Sequence, residues 1–204
     1  MEISSSRLDE AERSYGRPRE VILRQELREW EMDLIERVCG DSRFHDVTVF
    51  IGHEDALALV HKPSDPPGAF WAPAGGIEPG ETLDEGVRRE AKEETGLDIE
   101  VERYLLRLNA VFWAGERTRP WVSHVFSAGS SGERPQPIDT REVQEAAWVP
   151  IHQFRRDIVP ILRASGWGRY EYRLHLADLV FQELGLDPLD SVVRDASPTG
   201  HEGR

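Results

Sequence analysis

The chain has 204 residues, a formal net charge of −13, 39% hydrophobic and 31% charged residues, the balance of a soluble globular protein with room for one domain and added elements. Its acidity disfavours a grip on the phosphates of a long nucleic acid. No apolar run has the length of a membrane span or the form of a secretory leader, so a cytoplasmic location without membrane partners is expected. The lone cysteine, Cys39, rules out an internal disulfide, disfavours a cysteine-based zinc site and is expected to pack in a core.

Residues 1 to about 15 are polar with few apolar anchors and read as loose. From Arg19 to Val38 the apolar residues Val21, Leu23, Leu27, Trp30, Leu34, Ile35 and Val38 suggest an amphipathic helix. Residues 1–43 are thus expected to be a helical extension that packs on the domain beginning near residue 44 or builds a homodimer interface. Asp46–Ile51 and Ala56–His61 alternate as two strands around the turn residues Gly52-His-Glu-Asp, a hairpin. A loop of tight turns comes next, marked by Pro73, Gly75, Gly76, Pro79 and Gly80, whose glycines would let phosphate approach the backbone.

Local signals then predict a helix from Leu83 to Glu94. Thr82 and Glu85 form a capping box, Asp84 and Glu85 complement the helix dipole, and Gly96 suits a left-handed stop. Leu83, Val87 and Ala91 make a narrow apolar stripe. Glu90, Glu93 and Glu94 share one face, where like charges repel unless a cation sits among them. Clustered carboxylate oxygens suit a hard divalent ion, Mg²⁺ first and Mn²⁺ as the alternative.

Strand-rich stretches lie beyond it at Ile99–Trp113 and Trp121–Ser127, joined by Ala114–Pro120. After them come a Gly/Pro-rich loop from Gly129, a strand at Ala146–Ile151, a short helix near Ile151–Ala164 and a last helix ending near Gly185. Residues 188–204 lack a sustained apolar pattern and are expected to be disordered. The element order implies a mixed α/β (α+β) fold.

Residues 75–97 resemble the box of the Nudix hydrolase family, G-x5-E-x7-R-E-U-x-E-E-x-G-U with U aliphatic. Gly75, Glu81, Arg89, Glu90, Glu93, Glu94 and Gly96 fill the fixed positions, and Ala91 and Leu97 the apolar ones. The resemblance implies an α/β/α sandwich over about 44–165, with 166–187 as a C-terminal helix. It also implies a metal-dependent hydrolase that splits a diphosphate linked to another group, often a nucleoside. Carried over by position, Glu90, Glu93 and Glu94 are the metal ligands. Arg89 joins the catalytic set by pairing with Glu81 and bracing the loop. Gly75 and Gly96 are structural.

A base is needed to take a proton from water. Glu93 and Glu94 are candidates, as is Glu142, six residues before Trp148 in a segment resembling the family's later loop and strand, with Glu145 second. For the substrate, Arg107, Arg117 and Arg119 could grip phosphate while Trp113, with Phe112, Trp121 and His124, stacks a base. Val111 stands where ADP-ribose hydrolases of the family often carry proline, and Trp113 where diadenosine polyphosphate hydrolases carry an aromatic residue. The expected partner is a small, nucleotide-derived diphosphate. Two alternatives stand beside hydrolysis: a nucleotide-sensing module that does not cleave, and an isoprenoid diphosphate isomerase, which needs a catalytic cysteine.

Overall fold

The computed structural model describes residues 3–40 and 43–189. Its elements are α1 (Ser5–Tyr15), β1 (Arg19–Glu26), α2 (Glu29–Cys39), β2 (His45–His53), β3 (Ala56–His61), β4 (Ala74–Gly76), α3 (Leu83–Thr95), β5 (Ile99–Ala114), β6 (Arg117–Ser130) and β7 (Glu145–Pro150). They continue with α4 (Ile151–Gln153), a π-helical turn (Phe154–Ile158), α5 (Val159–Ser165) and α6 (Gly168–Glu183). The seven strands form one mixed sheet in the order β1-β5-β6-β2-β3-β7, with β4 paired to β2. β1 runs parallel to β5 and β2 parallel to β6, and the other pairs are antiparallel.

Strand alternation divides the core into two layers. Val47, Val49 and Ile51 of β2 pack with Leu83, Val87 and Ala91 of α3 on one face. Phe50 of β2 and Leu57 and Leu59 of β3 pack on the other, with Phe154, Leu162, Leu176 and Val180. Helices therefore cover both faces of the sheet. Among the described residues no helix is long and apolar enough to cross a membrane.

The structure corrects the single helix expected over Arg19–Val38. Arg19–Glu26 is a strand at the sheet edge, with Val21 and Leu23 half-buried and Ile22 84% exposed between them, the two-residue period of a strand. Its parallel pairing with β5 outweighs the helical spacing that the later residues suggest. The helix starts only at Glu29, and Trp30 and Val38 lie exposed while Met32 is buried.

Residues 5–15, expected to be loose, form α1. Buried Ala11 anchors it, and the Tyr15 hydroxyl donates to Asp84 at 2.5 Å, which ties it to α3. The expected connection Ala114–Pro120 belongs almost wholly to β5 and β6, which turn only at Gly115 and Glu116. Gly115 takes φ +57°, the left-handed conformation that suits a two-residue hairpin turn. Of the tail expected to be disordered, Leu189 is buried and donates its backbone N–H to Asp178; residues 190–204 lie outside the described residues.

Buried Glu31 joins α2 to the start of α6. Its carboxylate accepts from the backbone N–H groups of Arg28, Gly168 and Arg169, each at 3.0 Å. Orphan amides at a helix start are thereby satisfied by a side chain from another helix. Both helices are held over the same face of the sheet.

Candidate active site

Three glutamates, a brace and two glycines are brought together by α3 and the loop before it. Thr82 Oγ1 accepts from the Glu85 amide at 3.2 Å and Glu85 accepts from the Thr82 amide at 2.8 Å, the reciprocal cap the sequence predicts. Gly96 ends the helix at φ +72°, where a Cβ would also lie 2.3 Å from the Gln136 carbonyl oxygen. With Leu83, Val87 and Ala91 pinned on the sheet, Glu90 and Glu94 are carried beneath β4 and are buried. A Cβ on Gly75 would lie 2.0 Å from the Glu90 carboxylate, so the loop can cross here only without a side chain.

Arg89 holds the loop to the helix. Its guanidinium donates to both oxygens of Glu81, at 2.8 and 3.0 Å, and to the Gly76 carbonyl at 2.6 Å. Its third nitrogen donates to Glu90 at 2.8 Å and to Glu93 at 3.1 Å. Burial would raise the Glu81 carboxyl, but the bonds from Arg89 and the Glu78 amide overcome this and hold it below its usual range. Such bidentate, charge-assisted geometry fixes orientation as well as energy.

The acidic face is not uniform. Burial pushes Glu90 up to about 7, with Arg89 opposing and the charge of Glu94 adding to the rise. Burial also raises Glu94, against the pull of Lys62 and the Ala74 amide. Glu93 is half-exposed and turns to Arg89. Lys62, just after β3, places its ammonium 2.6 Å from Glu94 and 2.7 Å from Glu142, which brings the downstream glutamate to the box helix. Glu145 stays exposed at the start of β7, opposite His61. Among the described residues no three His, Cys, Asp or Glu side chains are gathered at the spacing of a preformed metal site.

A cavity of about 310 Å³ opens beside this cluster. Lys62, Gly75 and Glu142 line it together with Arg43, Asp46, Arg169 and Arg173 and the rings of Phe112, Trp121 and Tyr172. Among the described residues, buried Arg43 Nε, Asp46 Oδ1 and Arg169 Nε find no hydrogen-bond partner. Burial raises the Asp46 carboxyl, against Ser123 and Arg43. α2 contributes half-buried Cys39, whose thiol burial pushes up, a poor state for a nucleophile.

None of the arginines expected to meet substrate lines this cavity. Arg107 pairs with Glu12 of α1 and Glu20 of β1, and Arg119 is buried, donating to the carbonyls of Gly40 and Arg43. Arg117 pairs with Glu29, Asp33 and Glu36 of α2. Trp113 is half-buried in β5 opposite Glu26 and Thr118. The partners of Arg107 and Arg117 come from the N-terminal segment, whose placement the sequence did not reveal. Arg117→Ala should leave the thermal melting midpoint of the protein unchanged within measurement error, because exposed pairs contribute little. Arg169 and Arg173 could have been found by their i, i+4 spacing on the last helix.

His124 packs in β6 rather than at the cavity, between Tyr104 and His45. Burial, with the neighbouring charges of His45 and Arg107, lowers it to about 3. An unfolded histidine takes a proton below about 6.5, so between that pH and 3 the unfolded chain binds more protons than the folded one. Stability should fall as pH drops through this window. Denaturant melts from pH 7 to 4 should show a smaller loss in His124→Gln than in the wild type.

The NUDIX domain model matches residues 43–165. The human (Homo sapiens) 8-oxo-dGDP phosphatase NUDT18 is 34% identical over 140 residues, 67% of this chain and 38% of that protein. The NAD-capped RNA hydrolase NudC of Stutzerimonas stutzeri (strain A1501) is 34% identical over 131 residues, 63% of this chain and 43% of that protein. The chain thus spans about two fifths of the length of these curated relatives. A NUDIX hydrolase structure from Nitrosomonas europaea superposes with a TM-score of 0.51 at 23% identity, covering 73% of this chain and 95% of that one, a likeness of fold. The name of the second relative includes an RNA, so net charge alone does not carry the expected exclusion of long nucleic acid. α2 and α6, which help line the cavity, lie outside the matched residues.

Proposed function

The chain belongs to the NUDIX domain family, and from that premise we propose that it hydrolyses a diphosphate linkage in a nucleotide-derived substrate with the help of a divalent metal. The observation that carries this is one cavity that Arg43, Arg169 and Arg173 line together with Glu142 and Lys62, the lysine being paired to Glu94 of the box helix, in a protein whose net charge is −13. Cations concentrated beside an acidic helix suit a polyanion that arrives with, or after, a metal.

The donor set fits such an ion. Glu90 and Glu94 are buried carboxylates, and Glu94 Oε1 has Lys62 as an ion-pair neighbour without hydrogen-bond geometry. Glu90, Glu93 and Glu94 would hold the metal, with Glu142 at its edge, and hard oxygen donors favour Mg²⁺ or Mn²⁺. When bound, the ion supplies charge neutralisation at the diphosphate and activation of water.

The chain's own residues do the rest. Arg43, Arg169 and Arg173 attract the diphosphate and orient it along the cavity. Arg89, through Glu81 and Gly76, keeps the loop and Glu90 in register, and Glu142, a carboxylate lining the cavity, takes a proton as water adds to phosphorus and the bridging P–O bond breaks. The relatives' named substrates, 8-oxo-dGDP and an NAD-capped RNA, are nucleotide compounds with a diphosphate, and we place this chain's substrate in that class.

One observation favours a second reading, a nucleotide-binding module that does not cleave: one ammonium already pairs with both Glu94 and Glu142. Phosphate and mononucleotide release from a panel of nucleoside diphosphates, dinucleotides and capped RNA, assayed with Mg²⁺ and Mn²⁺, separates the two. Metal-dependent release from one member supports hydrolysis, and tight calorimetric binding without turnover supports the module.

A further inference from the structure

Lys62 is one of only two lysines, with Lys92, in a chain that otherwise meets its 25 Lys+Arg positions with arginine. Its ammonium touches Glu94 of the box helix at 2.6 Å and Glu142 of the downstream loop at 2.7 Å. The second oxygen of Glu94 already accepts from the Ala74 amide at 2.9 Å. Lys62 therefore sits on the oxygen of Glu94 that a metal would need, and it also lines the cavity.

We propose that Lys62 is a positioning residue for the reaction above: it is the resident cation of the acidic site, and a divalent ion enters by displacing its ammonium into the cavity, where a substrate diphosphate takes it up. This rests on the proposed metal-dependent hydrolysis. Two cations cannot share one carboxylate oxygen at contact distance, because their repulsion in a partly dry site exceeds what that oxygen returns to either. Glu94 is only 2% exposed, so water does little to screen them. Lysine suits the exchange better than arginine. Its single point charge on a flexible stem leaves without breaking a bidentate fork. Once displaced, the ammonium needs another anion, and the diphosphate is the one that arrives in the cavity it lines.

The exchange makes metal entry and diphosphate binding depend on Lys62 in opposite senses. Removing the ammonium should tighten Mn²⁺ binding to the full chain about tenfold, the equivalent of about 1.4 kcal/mol. It should also weaken imidodiphosphate binding to the Mn²⁺-saturated protein by a similar factor. The experiment measures Mn²⁺ by electron paramagnetic resonance in wild type, Lys62→Met and Lys62→Arg at matched pH, then imidodiphosphate by calorimetry. Lys62→Arg should keep Mn²⁺ affinity at or below the wild-type value. A merely structural role would weaken both ligands in Lys62→Met, and that result, or an unchanged Mn²⁺ affinity, overturns the proposal.

A measurement on the native protein does not depend on a variant folding. With lysine-selective ¹⁵N labelling only two side chains report, and added Mg²⁺ should move the Lys62 ammonium signal while leaving Lys92 in place. A Lys62 signal indifferent to saturating Mg²⁺ overturns the exchange but leaves the hydrolase reading intact. Failure of the wild type to bind Mn²⁺ at all, with or without imidodiphosphate, defeats both.

Discussion

Glu94→Gln should fold and lose activity by about 10³-fold or more, since a metal's charge stabilisation is worth several kcal/mol in the transition state and ~1.4 kcal/mol is a factor of ten. Glu94 is 2% exposed, accepts the Ala74 amide and contacts Lys62, so it is the most enclosed carboxylate of the box face. The amide of glutamine keeps the size and one acceptor but removes the charge. The loss should appear in kcat more than in KM, because Arg43, Arg169 and Arg173, the arginines proposed to meet the diphosphate, remain. Melting temperature should fall modestly, since one member of a buried ion pair loses its charge while Lys62 keeps Glu142 as a partner. Initial rates on the panel's best substrate, beside a thermal melt, check both parts. Full activity in this variant would remove Glu94 from the machinery.

Gly75→Ala should be one of the more damaging single methyl additions among the described residues. A Cβ there would lie 2.0 Å from the Glu90 carboxylate, and Gly75 is held in register opposite Val47 of β2, so neither side yields cheaply. The clash should cost about 1–3 kcal/mol of stability, in the range of overpacked cores. By displacing Glu90 it should also lower kcat/KM about 10²-fold. The double variant Gly75→Ala/Glu90→Ala should recover much of the stability without activity, a coupling that a double-mutant cycle reads directly. Additive losses in that cycle would show that the methyl acts elsewhere.

How legible the molecule was in its sequence depended on how local the physics is. The box helix could be read because its start, stripe and stop lie within one segment: Thr82 with Glu85, Leu83 with Val87 and Ala91, then Gly96. The hairpin of β2 and β3 was equally local, with alternating residues on both sides of a turn. The edge strand β1 was not. Val21 and Leu23 are too few to separate a two-residue from a helical period, and the pairing with β5 that decides it lies about ninety residues away.

The same distance explains the substrate residues. Arg107 and Arg117 looked free among aromatic neighbours, but Glu12 and Glu20 meet the first, and Glu29, Asp33 and Glu36 the second, only when α1, β1 and α2 fold against β5 and β6. Arg43, Asp46, Arg169 and Arg173 share a cavity because β2 and α6 are neighbours in space, which no spacing rule reports. The Arg89–Glu81 brace was legible only through the resemblance, since a pair eight residues apart across a loop has no helical signature.

The most direct measurement is a crystal soaked in Mn²⁺ with imidodiphosphate, read by anomalous scattering. A peak is expected within ligand distance of Glu90 and Glu94, with Glu93 or Glu142 closing on it and diphosphate oxygens on its open side. An empty helix face at saturating Mn²⁺, with the diphosphate analogue bound elsewhere or absent, would refute metal-dependent hydrolysis at this site.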